Sequence, residues 1–473
     1  MDKTQPSIVC LSSFFSTDRI LLYSSLLDHL PDYARPVVWS YAHLESSFES
    51  DQEHVRYFEK FFMDHSIPYR IKLLRQLVDY VWDRTMRSTS RESFWHVRKS
   101  KETTPQERLM YALAGPLSWL RLGPWLERLL SAVIIKFGKN KEVLEHFQKH
   151  RPAAILAMCP FSTMQMGIVA VAKALQIPVF AFITSFDNIT TKNRLIFEYD
   201  GYIAWSEQMK RELHEYYPAT KAAPVYVVGA PQFDVFMQDQ YLRTRKEFMQ
   251  GCGLDPGRPL VVYCLGSPNL IREDHGALQF LQRLRGPAQR PDIQVILRLH
   301  PGFKEAGCTE LDRIKAEFPD VVIQGPHRHW TTIPYQSSDS VVEWVNTLRH
   351  ADVVVNLSST MAVDASIFDK PVVNLDYDPE PGGPNQQLVK EINHKWVHFR
   401  PIAESGGVWL VNNPDELVAA TLAYLKDPSL HAAQRRWIVE FVCQQVDGNS
   451  GRRFAEALGE LMGRSVEPSL VRV

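Results

Sequence analysis

Short runs of β-branched and other apolar residues alternate along this chain with longer stretches in which apolar residues recur every three or four positions. The first pattern predicts buried strands and the second amphipathic helices. A first series reads as a strand at 7–11, a helix at 19–30, a strand at 37–39 and an amphipathic helix at 54–65. From 71 to about 147 only the helical period is found, interrupted by prolines and glycines near 115–124. Alternation resumes with strands at 154–158, 179–183, 201–205 and 225–228, and helices at 165–175 and 207–216. A second series has strands at 260–265, 293–299, 321–324 and 352–357. Helices are expected at 273–284, 308–318 and 361–368, with a last strand opening at 372. The remainder, 414–425 and 432–461, reads as helix.

Two βα series with a seam near 232–259 predict an α/β protein of two Rossmann-like domains facing across a cleft. The expected division is 1–235, with a helical insert at about 68–147, then 236–440, then a helical tail at 441–473. The 473 residues leave ample core for both domains.

Composition narrows the partners. The net charge of −1 gives no global field for nucleic acid. Six cysteines, at 10, 159, 252, 264, 308 and 443, show no CxxC spacing and lie mostly in apolar runs, which suits buried thiols in a reducing compartment. The opening MDKTQPSIVCL predicts no secretory leader. The charge-free stretch 153–172 contains Pro160, Ser162, Thr163 and Gln165 and divides better into strand, loop and helix than into a membrane span. The expected location is cytoplasmic.

Candidate chemistry collects at predicted strand ends. In 351–376, ADVVVNLSSTMAVDASIFDKPVVNLD, the hydroxyls of Ser358, Ser359 and Thr360 end a strand and begin a helix. They suit a phosphate, because helix N-termini carry free N–H groups and a positive dipole end. On local pattern alone they read as a plain helix cap. Arg298-Leu299-His300-Pro301 ends another strand, so His300 falls on the same edge if the sheet is parallel. There it can donate to a phosphate or leaving-group oxygen, with Arg298 neutralising charge nearby. A structural histidine is the competing reading. Gly266 and Ser267, ending a third strand, permit close backbone approach to a ligand.

With these motifs the chain resembles the GT-B glycosyltransferases, and within them the surface-polysaccharide and CDP-glycerol glycerophosphotransferase-like enzymes. RLHP at 298–301 and NLSSTMAVD at 356–364 carry the likeness. It implies that His300 and Ser358, Ser359 and Thr360 hold a nucleotide's phosphates and that Asp364 contacts the ribose. The matching hydroxyl pair is either Ser358-Ser359 or Ser359-Thr360. In the first domain ITSFDNITTKNR, 183–194, is similar to a T-S-[WF]-D-N-x-T-x-K segment of some polysaccharide transferases. Asp187 is there a candidate general base for an acceptor hydroxyl, with Asn188 and Lys192 on the acceptor side. An Asx-type turn explains the same residues. The segment 228–234, VGAPQFD, resembles a turn leading into the interdomain linker of this superfamily. The HxH at 327–329 lacks further local ligands for a metal, and the resemblance implies phosphate-binding side chains and no catalytic metal or other cofactor.

The function this implies is transfer of a sugar or polyol-phosphate from a nucleotide-activated donor to a glycan or lipid-linked acceptor in surface polysaccharide synthesis. A hydrolysing nucleotide-sugar 2-epimerase shares the fold, but 7–15 lacks the G-T-R-P-E start expected of one. A non-catalytic nucleotide-sugar-binding protein is the third reading. Between Pro68 and Lys141 there are 15 Lys and Arg against 6 Asp and Glu, an excess of 15 − 6 = +9. Trp82, Trp95, Trp119 and Trp125 are interleaved with them. That suits peripheral contact with an anionic membrane, and it suits helices packed on the first sheet equally well.

Overall fold

The computed structural model describes residues 5–40, 53–59, 67–86, 90, 104–268, 270–303, 305–325 and 337–470, apart from the side chains of 15 and 465–470. Trp95, the HxH at 327–329 and the part of the expected 54–65 helix beyond 59 lie outside them. The chain forms two compact units. One is 1–237 with 331–337 and 443–473, the other 238–330 with 338–442.

The first unit is built on six parallel strands in the order β2-β1-β3-β4-β5-β6. They are β1 (Ser7–Ser12), β2 (Arg35–Ser40), β3 (Ala154–Ala157), β4 (Val179–Phe182), β5 (Gly201–Ala204) and β6 (Val225–Val227). β1, β3, β4 and β5 are almost wholly buried, as their unbroken apolar runs require of a sheet covered on both faces. The expected helix from 54 is a 3-10 turn, Glu53–Tyr57. It ends where Phe58 bridges Val38 and the Glu59 N–H donates to the Val38 carbonyl at 2.9 Å. Pairing with β2 thus overrides the local helical pattern. The insert folds as helices Tyr69–Thr85, Pro105–Trp119, Gly123–Phe137 and Lys141–Lys149.

The chain's end returns to this unit. The expected 432–461 helix is two, Ala432–Cys443 and Ser450–Leu470. They are separated where Gln444 and Gly448 adopt positive φ. Asp234, wholly buried, accepts from the N–H groups of Ser450 at 3.1 Å and Gly451 at 2.7 Å. It caps the last helix, and burial pushes its carboxyl up to about 6. Gly229 sits at φ +88, and a Cβ there would lie 2.6 Å from Ser450 Oγ, so only glycine fits. The VGAPQFD motif therefore clamps the terminal helix.

The second unit has six parallel strands in the order β12-β11-β10-β7-β8-β9. They are β7 (Leu260–Cys264), β8 (Gln294–Arg298), β9 (Val322–Gln324), β10 (Val353–Asn356), β11 (Val372–Leu375) and β12 (Trp409–Val411). Renumbered within the unit this is the Rossmann order 3-2-1-4-5-6 read backwards. The first three strands run outward to one side of β7 and the next three to the other. The order reverses between β7 and β10. In the first unit it reverses between β1 and β3. Open parallel sheets bind ligands beyond the strand C-termini at such reversals.

Candidate active site

Strand register lines up the expected residues of the second unit. Asn356 pairs with Cys264 and Asn374, and Cys264 with Arg298. Two residues past this row stand Ser358, Gly266, Asp376 and His300, one per strand, along one edge. The sheet thus brings His300, Gly266-Ser267 and the Ser358–Thr360 turn to the same edge, on either side of the reversal point.

Hydrogen bonds then separate their roles. His300 Nδ1 accepts from the Gly302 N–H at 2.9 Å, so in the neutral ring the proton sits on Nε2, which is left to donate outward. Partial burial lowers its pKa and so favours the neutral ring. Arg298 is turned away: Nη1 donates to Gln324 Oε1 at 3.1 Å and Glu343 Oε2 at 3.4 Å. The Ser358 backbone is left-handed at φ +47. Its hydroxyl donates to Asn393 Oδ1. The Asn393 amide in turn donates to Asp376 Oδ1 at 3.0 Å, and Asp376 Oδ2 holds Lys390 at 2.6 Å and His394 at 2.9 Å. Ser359 Oγ accepts from the Met361 N–H at 3.3 Å and donates to Asn356 Oδ1 at 3.2 Å, which is the capping role. Thr360 is exposed. Of the three it is the most exposed residue, while Ser358 and Ser359 shape the turn. Asp364 is buried and accepts from Trp344 Nε1 at 3.1 Å.

A residue the sequence did not single out lies behind this row. Glu273, 3% exposed, precedes the helix Asp274–Arg285 and turns back into the reversal point. The Gly266 N–H donates to its Oε2, and the Leu357 N–H also favours its charge. Oε1 has no partner among the described residues. A Cβ on Gly266 would meet this carboxyl at 2.4 Å, so the glycine makes room for it. Burial pushes the Glu273 pKa up to about 8, against those N–H groups. The group is mostly neutral at pH 7 and ties the end of β7 to the end of β10. In sequence it reads only as an acid at a helix start.

The edge of the first sheet carries the acceptor-side candidates. Asp187 Oδ1 accepts from Asn188 Nδ2 at 3.1 Å and Oδ2 from Thr191 Oγ1 at 3.0 Å. Both bonds are between side chains. The half-buried carboxylate makes no side-chain cap bond to the short helix Asn188–Thr191, so it does not form the expected Asx-type turn. Lys192 is exposed. Glu212, on the helix Glu207–Tyr216, is a neighbour that sequence gave no reason to pick. Burial, with the nearby charges of Glu215 and Asp187, pushes it up to about 7. Nearer the reversal point is Asp18, 1% exposed. It accepts from Ser40 Oγ at 2.6 Å, and burial pushes it up to about 6. Ser12 and Thr17 share a 2.6 Å hydrogen bond beside it.

Among the described residues one set of side chains could converge on a metal, Asp274, Cys308 and Glu310. Asp274 is already held by Arg272 at 2.7 Å and by the Cys308 thiol at 3.2 Å. Five cysteines are buried and Cys252 is half-buried, all as free thiols.

No family model and no curated protein matches the chain. Solved structures do. The S. aureus MnaA–UDP co-structure is similar at TM-score 0.54 and 12% identity, over 96% of each chain. A putative UDP-N-acetylglucosamine 2-epimerase from Listeria monocytogenes gives the same values. The Neisseria meningitidis UDP-GlcNAc 2-epimerase bound to UDP-GlcNAc is similar at TM-score 0.54 and 13% identity, over 96% of this chain and 99% of that one. The wall teichoic acid polymerase TagF gives 0.41 over 70% of this chain. The first three likenesses define a class of architecture: the chain has the two-domain α/β fold of GT-B proteins.

Proposed function

We propose that this protein is a GT-B-type transferase that moves a sugar or polyol-phosphate from a nucleotide-activated donor to a glycan or lipid-linked acceptor in surface polysaccharide synthesis. The observation that carries the reading is the row at the second sheet's reversal point. There strand register sets His300, the exposed Thr360 and Gly266-Ser267 along one edge of the sheet. In this reading donors from this edge converge on a leaving phosphate and stabilise the charge that develops there, without a metal. Asp187 takes the acceptor's proton, held by Asn188 and Thr191 and flanked by Lys192. Ser358, Ser359 and Arg298 shape the site, and Asp364, packed on Trp344, supports the short helix Met361–Ile367.

A second reading is hydrolytic 2-epimerisation of a nucleotide sugar, since structures named as epimerases share the fold over 96% of the chain. Incubation with UDP-GlcNAc alone separates the two. The transferase reading predicts an intact donor until an acceptor is added. Release of UDP with an epimerised free sugar refutes it.

A further inference from the structure

Two consecutive helices of the insert carry large apolar side chains that are exposed. In Pro105–Trp119 only Ala114 is buried. The exposed stripe runs Leu109, Leu113, Pro116, Trp119, Leu120, with Arg108 at its start. Trp119 is 82% exposed and Leu109 55%. In Gly123–Phe137 the covered side is Leu126, Leu130 and Ile134. Turned from that side are Trp125 at 59% and Leu129 at 37% exposed, and Phe137, at the helix end, is 63% exposed. A helix apolar on both faces has more to bury than its own fold buries. Scattered exposed leucines need no explanation, but seven large apolar side chains on two adjacent helices do.

Charge identifies what covers them. Arg108, Arg121, Arg128 and Lys136 are exposed among these residues. The only acids between 104 and 137 are Glu107 and Glu127, and both are engaged. Glu107 accepts from the Thr104 N–H and Gln76 Nε2, each at 2.9 Å, and Glu127 pairs with Arg194 at 3.2 Å. Between 108 and 137 the exposed side chains are thus apolar or cationic, and both acids are paired. A second copy docked by a two-fold axis would set these bases against themselves. An anionic lipid surface meets both features, with tryptophans at headgroup depth and bases on the phosphates. Among the described residues no helix is long and apolar enough to cross a membrane, so the contact is one that lies on the bilayer. Trp82 takes no part: its ring stacks under Arg194 at 3.7 Å.

We propose that the exposed face of helices Pro105–Trp119 and Gly123–Phe137 is a docking surface for an anionic phospholipid bilayer. The test is co-sedimentation of the full chain with vesicles of phosphatidylcholine alone or with phosphatidylglycerol. It is run at low and high salt, and needs neither donor nor acceptor. Binding is expected to the anionic vesicles, weakened as salt screens the bases. Removing two bases in Arg128→Gln/Lys136→Gln should weaken partitioning roughly thirtyfold. Trp119→Ser/Trp125→Ser should weaken it as well, with unchanged circular dichroism and melting temperature in both variants. Negligible binding to all vesicles, or equal binding by the variants, overturns the proposal. So does a concentration-dependent dimer that Trp119→Ser dissolves.

Discussion

Replacing Glu273 by glutamine tests whether the reversal point of the second sheet is read correctly. The substitution keeps the shape and leaves an oxygen for the Gly266 N–H, but removes the titration. In the fold the carboxyl is raised from 4.5 to about 8 by burial. A carboxyl raised by folding contributes stability that is fully present below the unfolded pKa and lost as pH rises through the folded one. The loss therefore spans about pH 4.5 to 8. At 1.36 kcal/mol per unit, the wild type should lose about 2–4 kcal/mol between pH 5 and 8 through this group alone. The variant lacks that loss but leaves its new N–H₂ group short of an acceptor, costing about 1–3 kcal/mol at all pH values. Glu273→Gln should accordingly be the less stable protein at pH 5 and the equal or more stable one at pH 8. Urea unfolding of both proteins across that range reads the difference directly. Parallel profiles would mean that Glu273 titrates as a solvated acid, and the picture of a neutral carboxyl joining β7 to β10 would fail.

Other perturbations follow from the same contacts. Asp234→Ala strips two N–H groups of their acceptor at the start of the terminal helix and should destabilise by about 2–4 kcal/mol in urea titrations. Asp187→Asn should lower turnover far more than donor affinity. Near-normal turnover would leave its segment a turn, with the base elsewhere. EDTA should leave turnover unchanged, since the proposed leaving-group donors are His300 and Thr360. Loss restored by a divalent cation would contradict that.

Much of the fold was legible because buried parallel strands are written as unbroken β-branched runs. Val353–Asn356 and Leu260–Cys264 are examples. The helix Glu207–Tyr216 has the expected bounds because Ser206 caps it, accepting from the Met209 N–H. What was missed has physical causes. β12 is three residues long and finds its place by pairing with β11. The helix Gln386–His394 was not expected, although Asn393, Lys390 and His394 on it surround Asp376 and fix Ser358. The 54–59 stretch followed β2 and not its own period. At the site, the row of strand ends could be read from sequence, but the direction of each side chain could not. Ser358, Ser359 and Thr360 look alike in the chain, yet one binds a helix, one caps and one is exposed. Arg298 looks free in sequence and is committed to Gln324 and Glu343. Glu273 was hidden because an acid at a helix start ordinarily answers the helix dipole.

The most direct measurement is calorimetric titration of UDP-, CMP-, CDP-, GDP- and dTDP-linked compounds into the wild type, His300→Ala and Thr360→Ala. A site formed at this edge predicts that at least one of them binds the wild type. Losing one charge-assisted hydrogen bond, about 1.5–3 kcal/mol, should then weaken it roughly ten- to hundredfold in each variant. Binding of equal strength in all three proteins, or of none of the compounds to the wild type, would contradict the account.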